Sequence, residues 1–106
     1  MPQSRRLTAI MFTDIVGYTA MMQQNEAEGM AKAQAFRQTM QTQVETHHGE
    51  LLEIRGDGSL SVFNSAVDAV ACAKEIQETL RGEVPLRIGI HLGDIVQKRG
   101  ISLEMQ

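Results

Sequence analysis

Two carboxylates stand where they could do chemistry: Asp14, just after an apolar run, and Asp57, inside Gly56-Asp57-Gly58. Acids brought together repel unless one is protonated or a cation lies between them. With no His or Cys nearby, oxygen ligands of this kind suit Mg²⁺ or Mn²⁺ better than zinc. Mg²⁺ is typically held by one or two carboxylates plus substrate phosphates. Gly17 follows Asp14, lets a backbone approach closely, and leads into a helical stretch that begins near Thr19. The N–H groups at a helix start can hold a phosphate. A carboxylate beside such a loop points to metal-assisted phosphoryl chemistry. The same residues also fit plain turn chemistry, since Asp before a glycine turn and Asp-Gly at a hairpin tip are both common turn residues.

The elements that must position these acids can be read from periodicity. Leu7-Thr8-Ala9-Ile10-Met11-Phe12 is a short apolar run that reads as a buried strand ending at Thr13-Asp14. Asn25 is the expected N-cap of the long helix, with Glu28 three residues on. Met30, Ala33, Phe36, Met40 and Val44 recur at helical spacing and predict one core-facing stripe. His47-His48-Gly49 closes this helix, with Gly49 as the glycine beyond its last turn. Runs at 51–55 and 59–63 flank Gly56-Asp57-Gly58, a hairpin signal. Period two puts Leu52, Ile54, Leu60 and Val62 on one face and Glu53, Arg55, Ser59 and Ser61 on the other. Ser65 caps the next helix, whose inner stripe is expected at Ala66, Val70, Ala73, Ile76 (or Gln77) and Leu80, ending at Gly82. Leu86 to Leu92 alternates as a strand, which Ile95-Val96 could extend or follow with a further ribbon, and Gln97 to Gln106 shows no firm pattern.

The order strand, helix, strand, strand, helix, strand predicts an α/β (α+β) fold: a ferredoxin-like βαββαβ two-layer sandwich, with an antiparallel sheet and helices on one face. In that topology the first strand and the hairpin can lie side by side, so Asp14 and Asp57 can converge. The other sheet face then needs cover, from a partner or from further sequence.

The 106 residues allow one domain at most and carry a formal net charge of −3, which excludes a chain that grips nucleic acid by bulk positive charge. The single cysteine, Cys72, excludes an internal disulfide and reads as a small buried hydrophobe. No apolar run approaches the ~20 residues of a membrane span. The basic start, Met1 to Arg6, lacks the apolar stretch of a signal peptide, so a cytoplasmic location is expected.

Phe12-Thr13-Asp14-Ile15-Val16-Gly17-Tyr18-Thr19 resembles the Phe-x-Asp-Ile-x-Gly-Phe/Tyr-Thr motif of class III nucleotidyl cyclases, the adenylate and guanylate cyclases. Gly56-Asp57-Gly58 followed by Val62-Phe63 is similar to that family's second metal motif. Arg87-Ile88-Gly89-Ile90-His91-Leu92-Gly93 resembles its Arg-x-Gly-Ile-His-x-Gly strand. The likeness runs over about residues 5–97, the N-terminal part of a cyclase catalytic domain, with 98–106 as a truncated tail.

The resemblance implies that Asp14, Asp57 and the Ile15 carbonyl hold two ions, Mg²⁺ or Mn²⁺, and that the amides of Val16, Gly17, Tyr18 and Thr19 cradle phosphates. It implies attack of a ribose 3′-oxygen on the α-phosphorus of ATP or GTP, giving a cyclic nucleotide and pyrophosphate for intracellular signalling. Glu53 falls at a purine-reading position, where Glu is typical of guanylate and Lys of adenylate cyclases; it also fits a solvated strand residue. The family's Asn-x-x-x-Arg helix, which orients the ribose and neutralises phosphate charge, has no counterpart after Asp94, and Arg99 sits in the wrong context to replace it. The transition-state Asn and Arg are therefore absent, and these 106 residues are expected to be inactive alone. In this family the site forms between two protomers, so a homodimer, or a heterodimer with another cyclase domain, is expected. A non-catalytic dimerisation or regulatory module is the alternative.

Other features read more plainly. His47 and His48 point ~100° apart on a helix and cannot chelate one ion together. His91 reads as a packed strand residue, and Arg55-Gly56-Asp57 as a coincidental tripeptide. The seven methionines suit adaptable core or interface packing.

Overall fold

The computed structural model describes residues 4–97 and 101–105, with side chains from 7 to 94. The elements follow the order β1 (Ser4–Ile15), α1 (Tyr18–Gln24), α2 (Glu26–Thr46), β2 (Glu50–Ile54), β3 (Gly58–Phe63), α3 (Ala66–Leu80), β4 (Leu86–Gln97) and β5 (Ile101–Met105). All strand pairs are antiparallel, in the order β2-β3-β1-β4-β5. This is the expected α+β arrangement, with a fifth strand at one edge. That strand falls in the stretch where no pattern was expected, although its five residues alternate apolar and polar. Lys98, Arg99 and Gly100, including the arginine weighed above, lie outside the described residues.

The first strand is longer than its apolar run. β1 continues through Thr13-Asp14 to Ile15 because it is paired on both sides, by β3 and by β4. A central strand needs no apolar side chain at every position to satisfy its backbone, so the polar pair that looked like a stop is held by the ladder. The alternating faces of β1 divide the molecule. Ala9, Met11 and Ile15 join Phe36, Met40 and Val44 of α2 and Cys72, Ile76 and Leu80 of α3 in the main core. The opposite face carries only a small cluster of Ile10 and Val62 with Leu52 and Leu60. Among the described residues no helix is long and apolar enough to cross a membrane.

The helix caps act as the sequence suggested. Asn25 accepts from the Glu28 amide at 3.1 Å, and Ser65 accepts from the Asp68 amide at 3.1 Å. The stripes hold along most of their length, with Ala33, Phe36, Met40 and Val44 of α2 and Ala73, Ile76 and Leu80 of α3 in or against the core, and fail at their starts. Met30 is 58% exposed, and Gly29 takes its place in the core, since a Cβ there would stand 2.4 Å from the Met22 sulfur. On a regular helix Gly29, seven residues before Phe36, shares its face, whereas Met30 lies about 120° away from it. On α3 the buried set is Ala69, Cys72, Ile76 and Leu80, whereas Val70 is 57% exposed and Ala66 faces solvent. Small apolar residues surround the start of α3 on every side, so spacing alone does not fix its phase.

The hairpin corrects a second expectation. The β2–β3 register shifts between Leu51 and Glu53, so Leu52 is the extra residue of a bulge. Leu51 and Ile54 therefore meet the helix-side core while Leu52, Leu60 and Val62 lie on the opposite face. Glu53 stands opposite Leu60 and shares its face, parted from Ser59 and Ser61. At the end of α2, His48 adopts the left-handed conformation (φ 64°) in place of Gly49. Gly49 is required for a different reason: a Cβ would come within 2.4 Å of the Phe63 ring.

Candidate active site

β1 places Asp14 between two partners. In β3 it faces Gly58, and in β4 it faces Arg87. Gly58 has no side chain to cover the carboxylate. Arg87 reaches across and binds it as a fork: Nε donates to Oδ1 at 3.2 Å and Nη2 to Oδ2 at 3.0 Å. The pair is open to water, with side-chain exposures of 74% for Arg87 and 42% for Asp14. The hydrogen bond to Asp14, then its charge, raises the Arg87 pKa above the ordinary value, so the guanidinium stays charged.

Asp57 sits at the hairpin tip. Its carbonyl accepts the Ile15 amide at 2.8 Å, which ties the tip to the end of β1. Reciprocal bonds between Arg55 and Gly58, at 2.8 and 3.4 Å, close the turn around Gly56-Asp57. A Cβ on Gly58 would lie 3.3 Å from the Thr13 carbonyl, so the hairpin lies close against β1. Glu53, from β2, accepts from Arg55 Nε at 2.5 Å.

These groups surround one trough of about 540 Å³ on the face away from the helices. Asp14, Glu53, Asp57, Arg55 and Arg87 supply its charge, and Phe12, Gly89 and Leu60 line its apolar part. The trough exists because Gly58 and Gly89, opposite Asp14 and Phe12, add no side chains to this face. The sheet thus brings together three residues singled out from the sequence: Asp14, Glu53 and Asp57.

The segment 16–19 is not part of the trough lining. Ile15 points its side chain into the core, leaving only its main chain for a ligand. The Val16 amide already donates to the Pro85 carbonyl at 2.9 Å. Gly17 is left-handed (φ 72°) with nothing within 4 Å of a built Cβ. A glycine suits this left-handed conformation, and no protein atom crowds the position. At the start of α1 the amides of Gly17, Tyr18 and Thr19 lack partners within the helix. Tyr18 brings this end beside the hairpin, since a Cβ on Gly56 would lie 3.4 Å from its hydroxyl.

Periodicity had not marked Arg87 as part of the site. The signal was present, because strict alternation from Leu86 to Leu92 puts Arg87, Gly89 and His91 on one face. His91 lies opposite Ile10 on that face, partly buried. His47 Nδ1 lies 2.8 Å from the Gln43 carbonyl, at the end of α2. Cys72 is fully buried, and burial pushes its thiol up to about 11.

Among the described residues no group of three or more His, Cys, Asp and Glu could hold a metal ion. The acidic donors at the trough are the carboxylates of Asp14, Glu53 and Asp57, all oxygen. That set fits a hard divalent ion that takes its remaining ligands from water and phosphate. It does not fit a closed zinc site.

Comparison with known proteins agrees with this geometry. The model of the adenylate and guanylate cyclase catalytic domain matches residues 2–105. The putative adenylate cyclase 3 of Rhizobium meliloti (strain 1021) is 34% identical over 102 residues, which are 87% of this chain and 17% of that protein. A solved adenylate/guanylate cyclase/hydrolase from Silicibacter pomeroyi is 30% identical, with a TM-score of 0.80 over 99% of this chain and 66% of the other. The guanylyl cyclase Cya2 shares the fold at a TM-score of 0.78 and 24% identity, over 100% of this chain and 66% of its own. The chain thus spans a small part of that curated relative and just under two thirds of these solved domains. A family model matched along nearly the whole chain decides the assignment: the protein belongs to the adenylate and guanylate cyclase catalytic domain family.

Proposed function

We propose that the trough is the nucleotide site of a cyclase that converts a purine nucleoside triphosphate to its 3′,5′-cyclic monophosphate and pyrophosphate. What supports this most is the antiparallel register: it sets Asp14 opposite Gly58 and binds the Ile15 amide to the Asp57 carbonyl, so both acids border one trough. Asp14 and Asp57 hold two divalent ions, Mg²⁺ or Mn²⁺, with the Ile15 carbonyl as a further oxygen. When bound, such ions acidify the attacking hydroxyl and offset charge on the attacking and leaving oxygens.

The chain's own groups bind and orient the substrate. The amides of Gly17, Tyr18 and Thr19 face the phosphates, while that of Val16 stays bonded to Pro85. Glu53 lies on the trough wall as an acceptor for a purine edge. A carboxylate there accepts from guanine N1–H and the 2-amino group, which makes GTP the substrate to compare first with ATP. Arg55 holds Glu53 in place.

The residues that finish the chemistry come from elsewhere. No Asn-x-x-x-Arg follows Asp94 in these 106 residues. Losing one transition-state donor costs roughly 10²–10³ in rate. The 106 residues by themselves are therefore expected to turn over slowly at best, with the missing donors supplied by further sequence or by a second cyclase domain laid over the open sheet face. The second reading is a non-catalytic module that pairs with an intact cyclase to regulate it.

The test is a Mn²⁺-dependent titration with GTP and ATP, comparing the chain with Asp14→Asn and Asp57→Asn. Binding lost in both variants supports the site; equal binding in all three overturns it. A product assay of the chain alone, then mixed with an intact cyclase domain, separates the readings. New product above that of the intact domain supports the enzyme, and a changed rate without a contribution from Asp14 supports the regulatory module.

A further inference from the structure

Asp14 already faces a positive charge. Both of its oxygens are engaged by Arg87, which sits directly opposite on the neighbouring strand. We infer that Arg87 is a built-in competitor for the divalent ion: its positive charge and its two bonds to Asp14 are set against a metal at the same carboxylate. This rests on the reading of Asp14 as a metal ligand and goes beyond it, because it assigns Arg87 a function in the metal-free protein.

Three observations carry the inference. The bond is bidentate, so no oxygen of Asp14 is left without a guanidinium donor in line with it. The opposite flank is Gly58, which offers the carboxylate no side chain in place of Arg87. Arg87 is 74% exposed on a flexible stem, so its head can swing into water while the strand pairing stays intact. Arg55, the other cation of the trough, is bonded to Glu53. The two arginines thus hold one acid each, and Asp57, at the tip, has no such guardian among the described contacts.

The competition has a readable size. Exposed ion pairs shift equilibria by modest factors, so removing the fork tightens divalent-ion binding roughly two- to five-fold. The gain shrinks at high salt, which already weakens an exposed pair.

The experiment is a Mn²⁺ titration of the whole chain followed by electron paramagnetic resonance of the free ion, without nucleotide. It compares wild type, Arg87→Gln, Arg55→Gln and Asp14→Asn, each shown to be folded by circular dichroism. Arg87→Gln should bind Mn²⁺ two- to five-fold tighter than wild type, Arg55→Gln should change less, and Asp14→Asn should lose binding. Equal affinity of wild type and Arg87→Gln, with binding lost in Asp14→Asn, overturns the competitor and leaves the metal site standing. Equal tightening in Arg55→Gln and Arg87→Gln also overturns it, since loss of any positive charge would then suffice. Wild-type binding in Asp14→Asn, or none in wild type and Arg87→Gln, overturns the metal reading and the inference together.

Discussion

Gly89→Val separates the trough from the fold. Gly89 lies opposite Phe12, a Cβ there meets nothing within 4 Å, and its φ is not left-handed. A side chain fits without strain. Replacing a glycine at a compatible position stabilises by about 0.4–1 kcal/mol through the unfolded chain. An aromatic facing a β-branched residue adds roughly 0.2–1 kcal/mol. The sum is about 1 kcal/mol, which for a domain of this size raises Tm by roughly 4–8 °C. The isopropyl group also enters the trough of about 540 Å³ beside Arg87 and Phe12. A fluorescent purine nucleoside triphosphate, followed by polarisation with Mn²⁺, should therefore bind about ten-fold more weakly, a loss near 1.4 kcal/mol. A variant that melts higher and binds less meets both expectations. One that melts lower shows that the space above Gly89 is filled, and one that melts higher yet binds equally removes the trough as the nucleotide site.

Gly49→Ala should cost about 1–3 kcal/mol in urea unfolding, because its Cβ would press 2.4 Å from a buried Phe63 ring. Gly17→Ala should cost roughly 1–2 kcal/mol from its φ of 72° alone, with no steric clash to relieve. Phe36→Ala, in the fully buried centre of α2, should cost about 3–5 kcal/mol. Burial raises the Cys72 thiol from 9.0 to about 11, so the unfolded chain loses its proton first as pH rises. Stability from this group is thus present below pH 9.0 and drains away toward about 11, which urea midpoints at pH 8, 9 and 10.5 would follow.

The order of elements was legible because hairpin, caps and alternation are local signals. Asn25, Ser65 and the Gly56-Asp57-Gly58 turn act on their immediate neighbours, and all three fall where spacing put them. Faces were less legible, because they depend on what docks from afar. Met30 lies outside the core where α1 meets Gly29, and Ile54 changed sides through the bulge at Leu52. The candidate acids could be named from motifs, and their nearness follows from strand order. Arg87 was visible as the first residue of a motif, but its bond to Asp14 was not, because the two lie 73 positions apart and no local pattern announces a bond across the sheet.

The two acids hang from unequal supports. Asp14 belongs to the middle strand, with ladder partners on both flanks, so its backbone opens only when the sheet does. Asp57 rides a two-residue bend anchored to that strand through one amide. Under the proposed two-ion reading, an ion between them would meet one ligand fixed by two ladders and one hung from a single strand anchor, so differences in ionic radius would fall on Asp57.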